Sequence, residues 1–203
     1  MNEIEILKKI EKKVLWLACW MIHNANHIRE NQDGLKVGGH QASSASIVSI
    51  MSALYFSILR PEDRVAVKPH ASPVFHAIQY LSGLQTKEKI ENFRGFGGAQ
   101  SYPSRTKDID DVDISTGSVG LGVAMTSFIS LIQDYIARKK FYKNKPLGRM
   151  IALVGDAELD EGNVYECLQE GWKHDLRNVW WIIDYNRQSL LSLIHISEPT
   201  RPY

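Results

Sequence analysis

The stretch MIALVGDAELDEGNVYECLQEGWKHDLRNVWWIIDYNRQ, residues 150–188, decides how this chain folds. It opens with a near-continuous apolar run, Met150 to Val154, and closes on a second, Asn178 to Asp184. Between them residues 160–174 carry a helical pattern. Strands that are apolar throughout, joined by a helix, belong to a parallel sheet covered on both faces. The fold class expected is therefore α/β, a parallel sheet flanked by helices. In such sheets ligands bind beyond the carboxyl ends of the strands. Those ends carry Gly155-Asp156-Ala157-Glu158 after the first strand and Tyr185-Asn186-Arg187-Gln188 after the second.

Asp156 supplies a hard anionic oxygen and Asn186 a neutral amide oxygen. That pair matches Mg²⁺ or Ca²⁺ better than zinc. Two such ligands are few for Mg²⁺, which takes the remainder from phosphate oxygens and water. The expectation is a metal-bridged diphosphate ligand. On these residues alone, Asp156 serves equally well as a helix N-cap and Asn186 as a turn residue.

Working back toward the amino terminus, Gly117-Ser-Val-Gly-Leu-Gly122 is a glycine-rich turn that opens a long apolar helix. Glycines let backbone approach a phosphate, and a helix N-terminus attracts anions. The turn lacks both the GxGxxG and the P-loop patterns. Before it, Arg94 to Ser118 shows no sustained period, and a loop this long is usually functional or disordered. Helices are expected near 86–94, 72–83 and 45–58, the last capped by Ser43-Ser44, and Arg64 to Lys68 is expected as a strand. Residues 3–32 read as one or two amphipathic helices. Two histidines stand after glycine or proline in loops, His40 and His70, where imidazoles bind phosphate or move protons near neutral pH.

Composition narrows the classes. The chain has 203 residues, 24 Lys+Arg against 23 Asp+Glu and a net charge of +1, so electrostatics give no case for nucleic acid or a membrane surface. With 44% hydrophobic residues it can build a core. Two cysteines, Cys19 and Cys167, read as buried reduced thiols in helices of a cytoplasmic protein. The run Val14 to Ile22 falls short of the ~20 residues that span a bilayer.

Three patterns mislead. His23 and His27 lack the glutamate of a zinc-protease helix and read as a surface pair. Asp108, Asp110, Asp111 and Asp113 imitate a calcium loop, but valines stand at two ligand positions, so solvated loop acids are expected. Trp180 and Trp181 read as strand core rather than a stacking platform.

Together these pieces resemble the thiamine diphosphate-dependent transketolase superfamily. Gly155-Asp156-Ala157, with Asn186 thirty residues after Asp156, is similar to its thiamine diphosphate motif. STGSVGLG (115–122) resembles its glycine turn. LKVGGHQAS (35–43), KPHASPV (68–74), NFRGFGGAQSYPS (92–104), GDAELDEGN (155–163) and NRQSL (186–190) resemble, in order, segments of the homodimeric-type decarboxylating component of pyruvate dehydrogenase. Transketolase is the nearby relative. Ala157 departs from the motif's third glycine, and the turn is expected to survive the added methyl.

The resemblance implies Asp156, the Asn186 side chain and the Gln188 carbonyl as ligands of Mg²⁺ or Ca²⁺. His40 and His70 would line the diphosphate and thiazolium end of the cofactor, where substrate reacts. Val119 and Gly120 would serve its other ring, and Gly155 and Ala157 its diphosphate. Glu161 matches a glutamate of the subunit interface. The implied activity is decarboxylation of a 2-oxo acid, pyruvate first, and acyl transfer; the alternatives are ketol transfer between sugar phosphates, or one subunit of a split transketolase-like enzyme beside a separate pyrimidine-module chain. A homodimer and an acyltransferase partner are implied, as is a second, pyrimidine-binding module later in the chain or on a partner chain, so the chain alone is expected neither to bind the cofactor tightly nor to turn over.

The expected organisation is a helical segment over 1–34, an incomplete diphosphate and metal module over 35–190, and a tail over 191–203. The tail, LSLIHISEPTRPY, resembles translated read-through of a sequencing adapter, and His195 within it is not read as functional.

Overall fold

A computed structural model of the chain describes residues 2–30, 34–141 and 146–187. The readings placed on Gln188, on His195 and on segment 191–203 lie outside these residues. Among them, helix α1 (Glu3–His23) leads into a π-helical turn (Asn24–Ile28). Helix α2 (Gln41–Ala53) likewise ends in a π-helical turn (Leu54–Ile58). Strand β1 (Arg64–Ala66), helix α3 (Ser72–Leu81) and the short helix α4 (Lys87–Glu91) follow. Helix α5 (Leu121–Arg138), strand β2 (Met150–Gly155), helix α6 (Gly162–Lys173) and strand β3 (Val179–Asp184) complete the described elements.

The three strands form one parallel sheet in the order β1-β2-β3. Its centre is β2, whose alternate residues serve two different cores. Ile151 and Leu153 enter the larger core with Val14, Met21, Ile47, Met51, Phe75 and Phe93, contributed by α1, α2, α3 and the chain after α4. Ala152 and Val154 enter a smaller core with Val123 of α5 and Val164 and Cys167 of α6. The period-two alternation of a strand thus builds a three-layer α/β/α arrangement. Each fully buried Ile or Phe contributes roughly 1.5–3 kcal/mol of transfer free energy. Helix α2 and its continuation to Ile58 are long and apolar enough to cross a bilayer, yet Ile47, Val48, Met51 and Leu54 are core residues.

Several expectations need correction. Helix α2 starts at Gln41 rather than after Ser43-Ser44; both serines are buried inside the helix and cap nothing. Cys167 is buried as expected, but Cys19 is only half-buried. Trp181 packs on the smaller core, whereas Trp180 is 40% exposed beneath the Arg149 guanidinium, 4.4 Å from its ring centroid.

Of the loop aspartates, Asp111 is exposed as expected, but Asp108, Asp110 and Asp113 are drawn into the structure. Asp110 is buried, and its carboxylate meets His76 Nδ1 at 2.7 Å and accepts from the Gln85 amide. Asp108 accepts the backbone N–H groups of Gln100 and Ser104, both at 2.9 Å. Asp113 accepts the N–H of Val65 at 2.9 Å, on the side of β1 that β2 does not pair. The region between α4 and α5 is therefore an ordered cover. It satisfies buried polar groups and an open strand edge by side chains, which leaves no periodic signature.

Candidate functional site

Because the strands are parallel, the segments after all three leave at the same edge of the sheet. After β1 comes Val67-Lys68, then a 3₁₀ turn, Pro69–Ala71, that carries His70. After β2 comes a second 3₁₀ turn, Asp156–Asp160. After β3 come Tyr185, Asn186 and Arg187. Helix α2 brings His40, its N-cap residue, to the same place.

His40 and His70 meet edge to face with ring centroids 4.4 Å apart, and Tyr102 lies 6.5 Å beyond His70. Both imidazoles are half-buried. Burial, together with the charges of Arg94 and Lys68, pushes His40 below the ordinary imidazole range. Burial, His40, Lys68 and Arg94 push His70 down to about 4. Both rings are thus neutral at pH 7, each with one N–H to give and one lone pair to accept. Arg94 is held over Tyr102 and donates to the Val37 carbonyl at 2.7 Å. Its backbone is left-handed, with φ 60°, and its Nε is buried without a hydrogen-bond partner among the described residues.

The glycine turn behaves as its composition suggests. Gly120 is left-handed, with φ 77°, and an added Cβ there would lie 2.4 Å from Asn163 Oδ1. Gly122 lets α5 approach β1, since its Cβ would sit 3.1 Å from that of Ala66. The Gly120 N–H donates to Glu158 Oε1 at 3.2 Å, and the Gly155 N–H to Glu158 Oε2 at 2.7 Å. One carboxylate therefore ties the start of α5 to the end of β2. Burial pushes the Glu158 carboxyl up, while the two N–H groups and Lys68 pull it back. Val119 is half-buried beside Gly120.

Asp156 does not cap the turn it heads. Its Oδ2 accepts the Arg187 N–H at 3.0 Å, which bridges the ends of β2 and β3. Its Oδ1 is buried and has no hydrogen-bond partner among the described residues. Such an acceptor costs about 1–3 kcal/mol unless something pairs with it. Ala157 sits within the 3₁₀ turn outside the left-handed region, so the turn forms without a third glycine. Asn186 places its amide nitrogen 3.0 Å from Ser46 Oγ and 3.3 Å from Asp184 Oδ2. Glu161 ends this 3₁₀ turn and precedes α6.

The structure thus gathers His40 and His70 into one cluster, joins Asp156 to the Asn186 loop, and joins Gly120 to Gly155. Lys68, Asp184, Ser46, Arg94, Tyr102 and Glu158 also belong here, and sequence reasoning did not single them out. Lys68 and Asp184 look like ordinary strand-end residues, and only the parallel register brings them together. The fit to a divalent cation is chemical: a buried unpaired carboxylate oxygen stands next to a loop carrying an amide, both hard oxygen donors.

Comparison with known proteins gives a consistent set. A family profile described as the transketolase thiamine diphosphate-binding domain matches residues 38–197. The pyruvate dehydrogenase E1 component of Escherichia coli (strain K12) is 26% identical over 198 residues, 93% of this chain and 22% of that protein. Transketolase-like protein 2 of Mus musculus is 30% identical over 160 residues, 73% of this chain and 24% of that protein. Among solved structures, a transketolase from Leishmania mexicana superposes with a TM-score of 0.74 at 18% identity, over 87% of this chain and 27% of the other. A transketolase variant from Pichia stipitis gives 0.75 at 20% identity, over 91% and 27%. The chain spans about a quarter or less of the length of these relatives.

Proposed function

The chain belongs to the transketolase thiamine diphosphate-binding domain family, whose relatives are thiamine diphosphate-dependent enzymes, and from that premise we propose that it is the diphosphate- and metal-holding module of a 2-oxo acid decarboxylase, pyruvate first, that passes on an acyl group. The cofactor, when bound, supplies a carbon nucleophile and an electron sink. The protein supplies position and charge. Asp156 and Asn186 would ligate Mg²⁺ or Ca²⁺, with the Gln188 carbonyl as a further ligand. His40 and His70, both neutral, would give and take protons at the reacting centre of the substrate. Val119 and Gly120 would face the second ring, Gly155 and Ala157 the diphosphate. Glu161 would belong to the interface of a cytoplasmic homodimer.

The observation that carries this reading is the unpaired, buried Asp156 Oδ1. Calorimetry with thiamine diphosphate and Mg²⁺ tests it. We expect metal-dependent binding by the wild type and its loss in Asp156→Ala. Equal binding by both would remove Asp156 from the metal shell.

Preference for pyruvate rests on the E1 components, which align over more than 90% of the chain. Ketol transfer is the second reading, favoured by the 30% identity to a transketolase-like protein. A substrate panel on the full-length gene product separates them: pyruvate with an electron acceptor against xylulose 5-phosphate with ribose 5-phosphate. Activity with the sugars alone would reverse the order. The 203-residue chain by itself is expected to show no turnover.

A further inference from the structure

A buried charge pair crosses the sheet at the edge where the site lies. Lys68, after β1, places its Nζ 2.5 Å from Asp184 Oδ2, at the end of β3, and both side chains are almost fully enclosed (3% and 6% exposed). An ion pair this enclosed contributes little net stability, because desolvation offsets most of the attraction. Its geometry points instead to a task. Three donors converge on the same oxygen: Lys68 Nζ, Ser46 Oγ at 2.6 Å and Asn186 Nδ2 at 3.3 Å. Asn186 Nδ2 also reaches Ser46 Oγ at 3.0 Å.

We propose that the Lys68–Asp184 pair, with Ser46, is a positioning device for the divalent-cation site: it captures the Asn186 amide by its nitrogen and so presents the amide oxygen to the metal. An asparagine side chain can turn over and exchange its two ends at little cost, and only the oxygen is a cation ligand. A carboxylate acceptor on the nitrogen side removes that ambiguity, as outer partners fix ligands in other metal sites. Lys68 is needed because a bare carboxylate two residues from the amide would otherwise compete for the cation. With its Oδ2 taken by an ammonium, a hydroxyl and an amide, Asp184 acts as an acceptor of hydrogen bonds. Ser46 adds a contact from α2, so the ligand is anchored to a helix as well as to its own strand.

This inference rests on the metal reading of Asp156 and Asn186, and the test separates the two. Mn²⁺ binding to the 203-residue chain, with thiamine diphosphate in excess, is followed by the electron paramagnetic resonance of the free ion. Four proteins are compared: wild type, Asp156→Ala, the double variant Lys68→Met/Asp184→Leu, and the double variant Lys68→Met/Asp184→Asn. Both doubles leave no unpaired buried charge, so both should fold, which circular dichroism and Tm verify. Only the second keeps an acceptor for the Asn186 nitrogen. We expect the Met/Leu pair to weaken Mn²⁺ binding by roughly 10–100-fold and the Met/Asn pair to stay within about threefold of wild type. Loss in Asp156→Ala with the Met/Leu pair unchanged overturns this inference and leaves the metal reading standing. Equal loss in both doubles also overturns it, because the acceptor would then be irrelevant. No Mn²⁺ binding by wild type, or binding undiminished in Asp156→Ala, overturns both.

Discussion

His70 shows how a single residue's surroundings set its chemistry. An unburied imidazole titrates near pH 6.5. Here burial, the neighbouring His40 ring and two cations hold it at about 4. In the window between those values the unfolded chain takes up a proton that the folded chain refuses. Stability is therefore unaffected by this group above about pH 6.5, falls as pH drops toward 4, and levels off below. The half-exposed ring is partly screened by solvent, so the fall is shallower than the full shift implies. Proton NMR of the histidine ring hydrogens, assigned with His70→Gln, should show a midpoint near 4 for His70. A midpoint near 6.5 would mean that neither burial nor the charges around the ring, Lys68 and Arg94, hold it neutral. His70 was legible in the sequence because it follows Pro69 at a strand end. Arg94 was not, because its role depends on a left-handed backbone and on contacts with Tyr102 and Val37 that no spacing encodes.

The elements are locked at the edge opposite to the site. Asp63, just before β1, is fully enclosed and accepts the N–H of Arg60 at 2.9 Å, the N–H of Arg149 at 2.8 Å and Arg149 Nε at 3.0 Å. Burial alone would raise its carboxyl, but the Arg149 guanidinium and the backbone N–H groups hold it far below the usual carboxylate range. The stability it contributes is thus present above about pH 4 and is lost as pH falls further. Removing one partner of such a pair strands the other. Asp63→Leu should cost about 3–5 kcal/mol in denaturant unfolding at pH 7, and the difference from wild type should shrink below pH 4. A loss under 1 kcal/mol would show the clamp to be dispensable. β2 and β3 could be read from their apolar runs, β1 from its β-branched alternation, and the helices from their period. The loop aspartates could not: Asp110 is buried against His76 and Gln85, and the half-buried Asp113 is held by Val65, residues 25–48 positions distant. Side-chain pairing at that range has no period.

At the scale of the molecule, helix α5 is turned inside out. The face it buries carries Thr126, Ser127, Ser130 and Gln133 beside Val123, and Gln133 spends both ends of its amide on Gly148. The face it exposes carries Phe128, Ile132 and Tyr135, each at least half exposed and spaced along one stripe. Helix α6 continues the surface with Tyr165, Leu168 and Trp172, the last 89% exposed. Ordinary surface helices have the reverse pattern, and contiguous apolar patches of this kind mark contact surfaces. The small buried side chains let α5 lie close on the sheet, while the large ones face outward. Sequence alone sees a long apolar helix; only the fold tells which stripe is outside. In isolation the 203-residue chain should therefore bind anilinonaphthalene sulfonate and sediment as concentration-dependent oligomers. The triple variant Phe128→Glu/Ile132→Lys/Tyr135→Glu should weaken both, with the α6 residues still exposed, while leaving Tm within a few degrees, because none of the three belongs to either core. A monodisperse monomer at high concentration in the wild type, with no dye binding, would mean the stripe is too divided to act as a surface. Loss of folding in the variant would mean that the stripe supports the module from outside the described cores.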